Sequence, residues 1–73
     1  MLAKKKPAHV QVVGNNLKRL IKESEYRTQE RFTEAIWVDP RTVGRWVQGG
    51  VDDIKSINDI ARVLDVDVRA LLF

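Results

Sequence analysis

Hydrophobic positions recur at helical spacing along most of this 73-residue chain. Val13, Leu17, Leu20 and Ile21 follow one another at steps of four, three and one, as residues on one face of a helix do. The strongest amphipathic stripe consists of Ile54, Ile57, Ile60, Ala61 and Leu64. No run alternates apolar and polar residues as a half-buried strand does. The pattern predicts an all-α chain, with five short helices in one compact domain.

Capping residues predict where the middle helices begin. Thr28 suits the N-cap of a second helix that stops by Ile36 or Trp37, because its hydroxyl accepts from backbone N–H groups. Phe32, Ala35 and Ile36 form the buried stripe of this helix.

Asp39-Pro40 is the clearest start signal in the chain. Asp caps a helix, and proline at the first helical position gives up an N–H that has no partner there.

Further signals delimit the helices of the second half. Gly49-Gly50 ends the third helix and supplies the positive φ that a helix C-terminus commonly needs. Asp52 or Asp53 caps the fourth helix. Asp65 suits the left-handed position at its end, since Asp tolerates that conformation better than most residues.

The third helix divides into two faces. One face carries Val43, Trp46 and Val47, and the other carries Arg41, Gly44, Arg45 and Gln48. Arg41 and Arg45 lie about one turn apart, and a duplex major groove about 12 Å wide admits one α-helix. Guanidinium groups fit guanine O6/N7 and phosphate equally well, so base reading and backbone positioning stay open. The third alternative is that the two arginines only make the helix surface soluble and bind nothing.

Gly44 favours DNA binding over mere solubilisation. A glycine inside a helix costs roughly 1 kcal/mol relative to alanine. Gly44 lies on the polar face, where burial does not explain it. We hypothesise that the missing side chain lets the helix backbone approach bases or a phosphate closely.

Composition and charge narrow the function classes. The chain has no cysteine, which excludes disulfides, a Cys-based zinc site and a thiol nucleophile. The net charge is +3; residues 1–27 hold seven basic and two acidic residues, and residues 49–73 hold three and five. This asymmetry favours a polyanionic partner. His9 is the single histidine, with no base or acid to act with it, so no enzyme, cofactor or metal is expected.

The start of the chain has no helical period. We predict a flexible basic arm over residues 1–12 and one folded domain over residues 13–73. Lys4, Lys5 and Lys6 either follow the DNA backbone or form an idle solubilising tail. No apolar run approaches the ~20 residues that a bilayer needs, so a cytoplasmic protein without a membrane partner is expected.

Several segments occur in a fixed order and spacing between residues 13 and 73. They are Gly14-x-x-Leu17-x-x-Leu20, Thr28-Gln29-Glu30-Arg31-Phe32, Asp39 through Gly49, Ile57-x-x-Ile60-Ala61-x-x-Leu64-x-Val66 and Leu71-Leu72. As a set they resemble the lambda-repressor and Cro type of helix-turn-helix protein. The resemblance implies a five-helix domain that binds operator DNA, usually as a dimer. It thus suggests a transcriptional regulator, with a repressor as the favoured form, and the departures from the family pattern suggest a divergent member from a phage or mobile element.

The resemblance also implies roles for individual residues. Thr28 matches the cap of the second helix, and Gln29 matches the glutamine that donates to a phosphate. Positions that read bases or backbone match Pro40, Arg41, Thr42 and Arg45, and the nearby loop positions match Gln48 and Gly49. Trp46 matches a core position.

The chain departs from the family pattern at several positions. Trp37 stands where the turn commonly has Gly, so either a non-Gly residue at positive φ or a different turn is expected. Ile21 replaces a frequent Arg, Val47 the usual Glu, and Thr33 a small Ala. Pro40 cannot read a base by hydrogen bonding.

Two apolar features bear on protein partners. Trp37 either covers the seam between the second and third helices, as its residue type favours, or anchors a partner. The last helix, capped by Asp67, ends in Leu71-Leu72-Phe73, which packs on the core or forms a dimer surface; the resemblance implies a weak homodimer there. The alternative function is a protein-interaction module of the same fold, an antitoxin or anti-repressor with an idle DNA face.

Overall fold

A computed structural model describes residues 8–73 of the chain. Over this range the chain forms five helices and no strand, as predicted. The helices are α1 (Ala8–Glu23), α2 (Gln29–Ile36), α3 (Pro40–Gly49), α4 (Ile54–Leu64) and α5 (Val68–Leu72). None of them is long and apolar enough to cross a membrane.

One hydrophobic core joins all five helices. Each helix contributes a side chain with no exposed surface, and these are Leu17, Phe32, Val43, Ile60 and Leu71. Helix α1 packs against α3 and α5, while α2 bridges α3 and α4. Full burial of one such side chain is worth about 1.5–3 kcal/mol. The core therefore fixes α3 firmly through its inner face.

The predicted caps are present at the start of four helices. Thr28 accepts from the Arg31 N–H at 3.2 Å, in front of α2. The carboxylates of Asp39, Asp53 and Asp67 accept from backbone N–H groups at 2.7–2.9 Å, in front of α3, α4 and α5. These bonds satisfy donors that a helix N-terminus leaves without partners.

Residues with positive φ end three helices. Asp65 ends α4 with φ 57°, as its residue type predicts, and Gly50 follows α3 with φ 95°. Trp37 ends α2 with φ 61° and donates its N–H to the Thr33 carbonyl at 3.1 Å. The turn thus holds a non-Gly residue in the left-handed region, the first of the two expected outcomes.

Three expectations about burial and boundaries are wrong. Residues 8–12 belong to α1 and not to a flexible arm, because Val10 extends the stripe of Val13 by one turn and is 2% exposed. Ile54 is 75% exposed, since it is the first residue of α4 and lies before the stripe turns inward. Ala35 and Ile36 are half-buried only, while Thr33 is buried and donates its hydroxyl to the Gln29 carbonyl at 2.7 Å.

A close approach between α1 and α3 sets the orientation of α3. A Cβ on Gly14 would lie 2.8 Å from the Trp46 carbonyl oxygen and 2.9 Å from the Gly50 Cα. The carbonyl of Val10 occupies the space that a Cβ on Gly50 would need. Glycine at both positions therefore lets the end of α3 lie directly on α1.

Candidate nucleic-acid interface

Helix α3 presents one buried face and one open face, as its sequence predicts. Val43 and Trp46 are 0% and 9% exposed, so Trp46 is structural. Arg41 and Arg45 are exposed on the opposite face, one helical turn apart. We call this opposite face the outer face of α3; it comprises Pro40, Arg41, Thr42, Gly44, Arg45 and Gln48. All of these are exposed except Thr42 and Gly44, which are half-buried.

The arginines of the outer face carry unneutralised charge. Among residues 8–73, no carboxylate lies within 4 Å of the guanidinium group of Arg41 or Arg45. Asp39 is the nearest acidic residue in sequence, and its carboxylate accepts from the Arg41 backbone N–H at the start of the helix. Both guanidinium groups are thus available to a base edge or a phosphate.

The N-terminus of α2 lies beside this outer face. Gln29 is exposed, and its Nε2 would lie 3.7 Å from a Cβ on Gly44. Thr28, Gln29 and Pro40 also border one open groove of about 660 Å³. The fold therefore places Thr28 and Gln29 next to Pro40 and Gly44, which are four of the residues that the sequence proposed as DNA contacts.

Gly44 is not required by packing. A Cβ at this position would meet only the Gln29 side chain, at an ordinary van der Waals distance of 3.7 Å. This environment contrasts with that of Gly14, where a Cβ would press on backbone atoms. The fold gives no steric reason for Gly44, which is what the close-approach hypothesis expects.

Further cations lie next to this region, on the end of α1 and in the connection to α2. Lys18, Lys22 and Arg27 line a pocket with Gln29 and with Val47 of α3. The sequence gave no role to Arg27. Only the folded connection, in which Arg27 has φ 67°, shows that Arg27 lies with them.

The prediction of a buried Trp37 is wrong. Its side chain is 92% exposed, the largest fraction among the exposed large hydrophobic residues of the described range. The left-handed backbone at the end of α2 turns this side chain away from the seam between α2 and α3. Val38, the next residue, packs against the core in its place.

Two other predictions concern the N-terminal lysines and metal binding. Lys4, Lys5 and Lys6 lie outside the described residues. Within residues 8–73 no group of three or more His, Cys, Asp or Glu side chains could hold a metal ion.

Comparison with models of known families, with curated proteins and with solved structures found no match to this chain. No relative therefore indicates what the protein binds. A function has to be inferred from the chemistry of the outer face of α3 and of the residues around it.

Proposed function

We propose that the protein is a sequence-specific DNA-binding regulator, a repressor, that reads the major groove with α3. The observation that carries this proposal is the pair Arg41 and Arg45, exposed one turn apart without a carboxylate partner in the described chain. Each guanidinium fork matches guanine O6/N7 or a backbone phosphate. A short helix with such a face suits a groove of about 12 Å.

In this proposal α2 and α3 act as a helix-turn-helix unit of the lambda-repressor and Cro type. Gln29, at the N-terminus of α2, donates to a phosphate and fixes the register of the protein on the duplex. Thr42 and Gln48 add polar contacts along α3. Pro40 offers only apolar contact, because it has no N–H.

We further propose that the protein binds as a weak homodimer through α5. Leu71 is buried, but Leu72 is half-buried and Phe73 is 87% exposed. Leu72 also lines a largely apolar pocket of about 430 Å³ with Ile54 and Val68. A dimer would place two α3 helices on half-sites about 34–36 Å apart.

Enrichment of bound duplexes from a random-sequence pool tests the proposal directly. We expect a palindromic motif whose half-sites are about one helical turn apart. A pool that stays random after several rounds, with binding no tighter than to bulk DNA, would contradict sequence-specific recognition. A single half-site without symmetry would contradict only the dimer.

The exposed Trp37 favours a second candidate, the protein-interaction module. Tryptophan is enriched among the side chains that dominate binding energy at protein interfaces. Glu34 and Glu30 lie three and seven residues before it, exposed on α2. If this candidate is the function, Trp37→Ala is expected to abolish binding to a protein partner. Replacing Arg41 and Arg45 by alanine should leave that binding unchanged, whereas DNA binding would collapse if the first candidate is right.

A further inference from the structure

A small pocket beside the outer face of α3 has an apolar floor and a cationic rim. It has a volume of about 200 Å³ and is lined by Lys18, Ile21, Lys22, Arg27, Gln29 and Val47. Ile21 is 4% exposed and Val47 is half-buried, whereas the three cations are exposed. A water molecule takes about 30 Å³ in the liquid. The pocket therefore has room for a group of the size of a phosphate. We call it the α1–α3 pocket.

The cations of the α1–α3 pocket have no countercharge. No carboxylate lines it, and within the described range none lies within 4 Å of Lys18, Lys22 or Arg27. The neighbouring Arg19, by contrast, pairs with Glu23 at 3.4 Å. Because three unneutralised cations surround one small opening, the local potential attracts anions.

The backbone holds Arg27 at this pocket. Arg27 has φ 67°, a conformation that costs a non-Gly residue free energy and persists only where its surroundings impose it. On one side, Tyr26 donates its hydroxyl to the Val63 carbonyl at 3.3 Å and packs edge-on against Phe32. On the other side, the Thr28 N–H donates to the Tyr26 carbonyl at 2.7 Å. The position of Arg27 is thus fixed by the core and by the start of α2.

Gln29 joins the α1–α3 pocket to the outer face of α3. It lines the pocket and also lies beside Gly44, at the centre of the outer face. An extended polyanion that follows the outer face past Gly44 would therefore reach Gln29 and the pocket that Gln29 lines. A nucleic-acid backbone has this shape, with one phosphate at each nucleotide.

We propose that the α1–α3 pocket binds a backbone phosphate of duplex DNA on the flank of the groove that α3 enters. This proposal rests on the proposed function. Lys18 and Lys22 supply charge, and the guanidinium fork of Arg27 donates parallel hydrogen bonds to the phosphate oxygens. Contacts of this kind position the protein and carry no sequence information, so the pocket acts on every duplex.

The salt dependence of binding to a random-sequence duplex tests the pocket. Each phosphate contact contributes about 0.9 to the log–log slope of affinity against salt. The slope is negative, because salt weakens binding. We expect Lys18→Ala combined with Lys22→Ala to make it shallower by about 0.9 or more. The control combines Lys55→Ala with Arg62→Ala, which removes the same charge from α4 and should leave the slope unchanged. If the Lys18/Lys22 variant has the same slope as the wild type, the proposal that this pocket binds a phosphate is wrong.

A charge placed on the floor of the pocket gives a second, independent test. Val47→Glu puts a carboxylate among the three cations, whereas Val47→Gln has nearly the same size and no charge. We expect Val47→Glu to weaken binding to the same duplex about tenfold relative to Val47→Gln, with circular dichroism showing both folded. Equal affinities of the two folded variants overturn the proposal. A wild-type protein that binds no duplex at 50 mM salt rejects the proposed function itself, whereas wild-type binding that neither pocket test alters rejects only the pocket.

Discussion

The two halves of the described chain use their charged side chains differently. In residues 49–73 every cation has a carboxylate partner, at 2.6–3.4 Å. These pairs join Lys55 and Arg62 to Asp59, and Arg69 to Asp67. In residues 8–48 six of seven cations have no carboxylate within 4 Å. These six are Lys18, Lys22, Arg27, Arg31, Arg41 and Arg45.

The difference in ion pairing between the two halves bears more on what the protein binds than on how stable its fold is. An exposed ion pair contributes only about 0.2–1 kcal/mol, so pairing explains little of how α4 and α5 are held. Unpaired cations, in contrast, are free to bind an external anion. The binding surface that we propose therefore lies on the α1–α3 half, while both halves contribute to the core.

The largest expected effect comes from removing the outer-face arginines. Arg41→Ala combined with Arg45→Ala should weaken binding to the selected duplex by about a hundredfold or more, because each bidentate base contact is worth about 1–3 kcal/mol. Fluorescence anisotropy measures the affinity. The control variant Lys55→Ala with Arg62→Ala loses the same charge from α4 and should bind within about threefold of the wild type. Equal losses in both variants would show that net charge alone governs binding.

The two helical glycines of the α1–α3 half are expected to respond in opposite directions. Gly14→Ala should destabilise the fold by about 1–3 kcal/mol, because its Cβ would press on the backbone of Trp46 and Gly50. Gly44→Ala should stabilise it by up to about 1 kcal/mol, since its Cβ meets open space and one side chain. Urea unfolding measures both.

Binding separates the role of Gly44 from its effect on stability. Gly44→Leu should keep or raise the thermal stability and still weaken DNA binding, because the new side chain holds the α3 backbone away from the duplex. Unchanged affinity for the selected duplex would refute the close-approach hypothesis.

Sequence patterns predicted the local features of this fold well. Thr28, Asp39 and Asp67 cap helices as expected, and φ at Asp65 is positive, because such features depend on residues a few positions apart. The stripe of α4 was likewise visible, apart from Ile54.

Sequence patterns did not predict the features that depend on contacts between distant parts of the chain. Trp37 has an apolar side chain that composition assigns to a core, but the direction of that side chain follows from one left-handed backbone position. Arg27 gains neighbours only when α1, α2 and α3 assemble. Ile21 and Val47, where the resemblance expects Arg and Glu, line the same pocket. The pocket thus lacks both an expected positive and an expected negative charge. Each position read by itself could not show that the two replacements lie side by side.

Acid is expected to weaken the α4–α5 half through its caps. Hydrogen bonds from the Ser56 backbone N–H and hydroxyl hold the pKa of Asp53 below its usual value, and bonds from the Arg69 side chain and N–H do the same for Asp67. A carboxyl with a lowered folded-state pKa stabilises the fold above its unfolded-state pKa, and this contribution is lost as the pH falls through the folded-state value. Stability should therefore fall as the pH drops below about 5.

A variant of the α4 cap isolates this effect. Asp53→Asn keeps a capping oxygen but cannot titrate, so its stability should depend less on pH than that of the wild type. Asp53→Ala should lose about 1 kcal/mol at pH 7. Urea unfolding at several pH values measures both variants, and an unchanged pH dependence in Asp53→Asn would exclude this cap as a source of acid sensitivity.

The smallest expected effect is a gain in stability from removing Trp37. Trp37→Gly should stabilise the fold by about 0.5 kcal/mol, because glycine adopts φ 61° without the Cβ strain of an L-residue and a side chain that is 92% exposed buries little surface. Asp65→Gly is the matched control in the α4–α5 half: its φ is 57°, but Asp tolerates that region, so a change near zero is expected. Urea unfolding measures both. A loss above about 1 kcal/mol in Trp37→Gly would mean that the indole packs on the domain, and Trp37 would then no longer be free to anchor a partner.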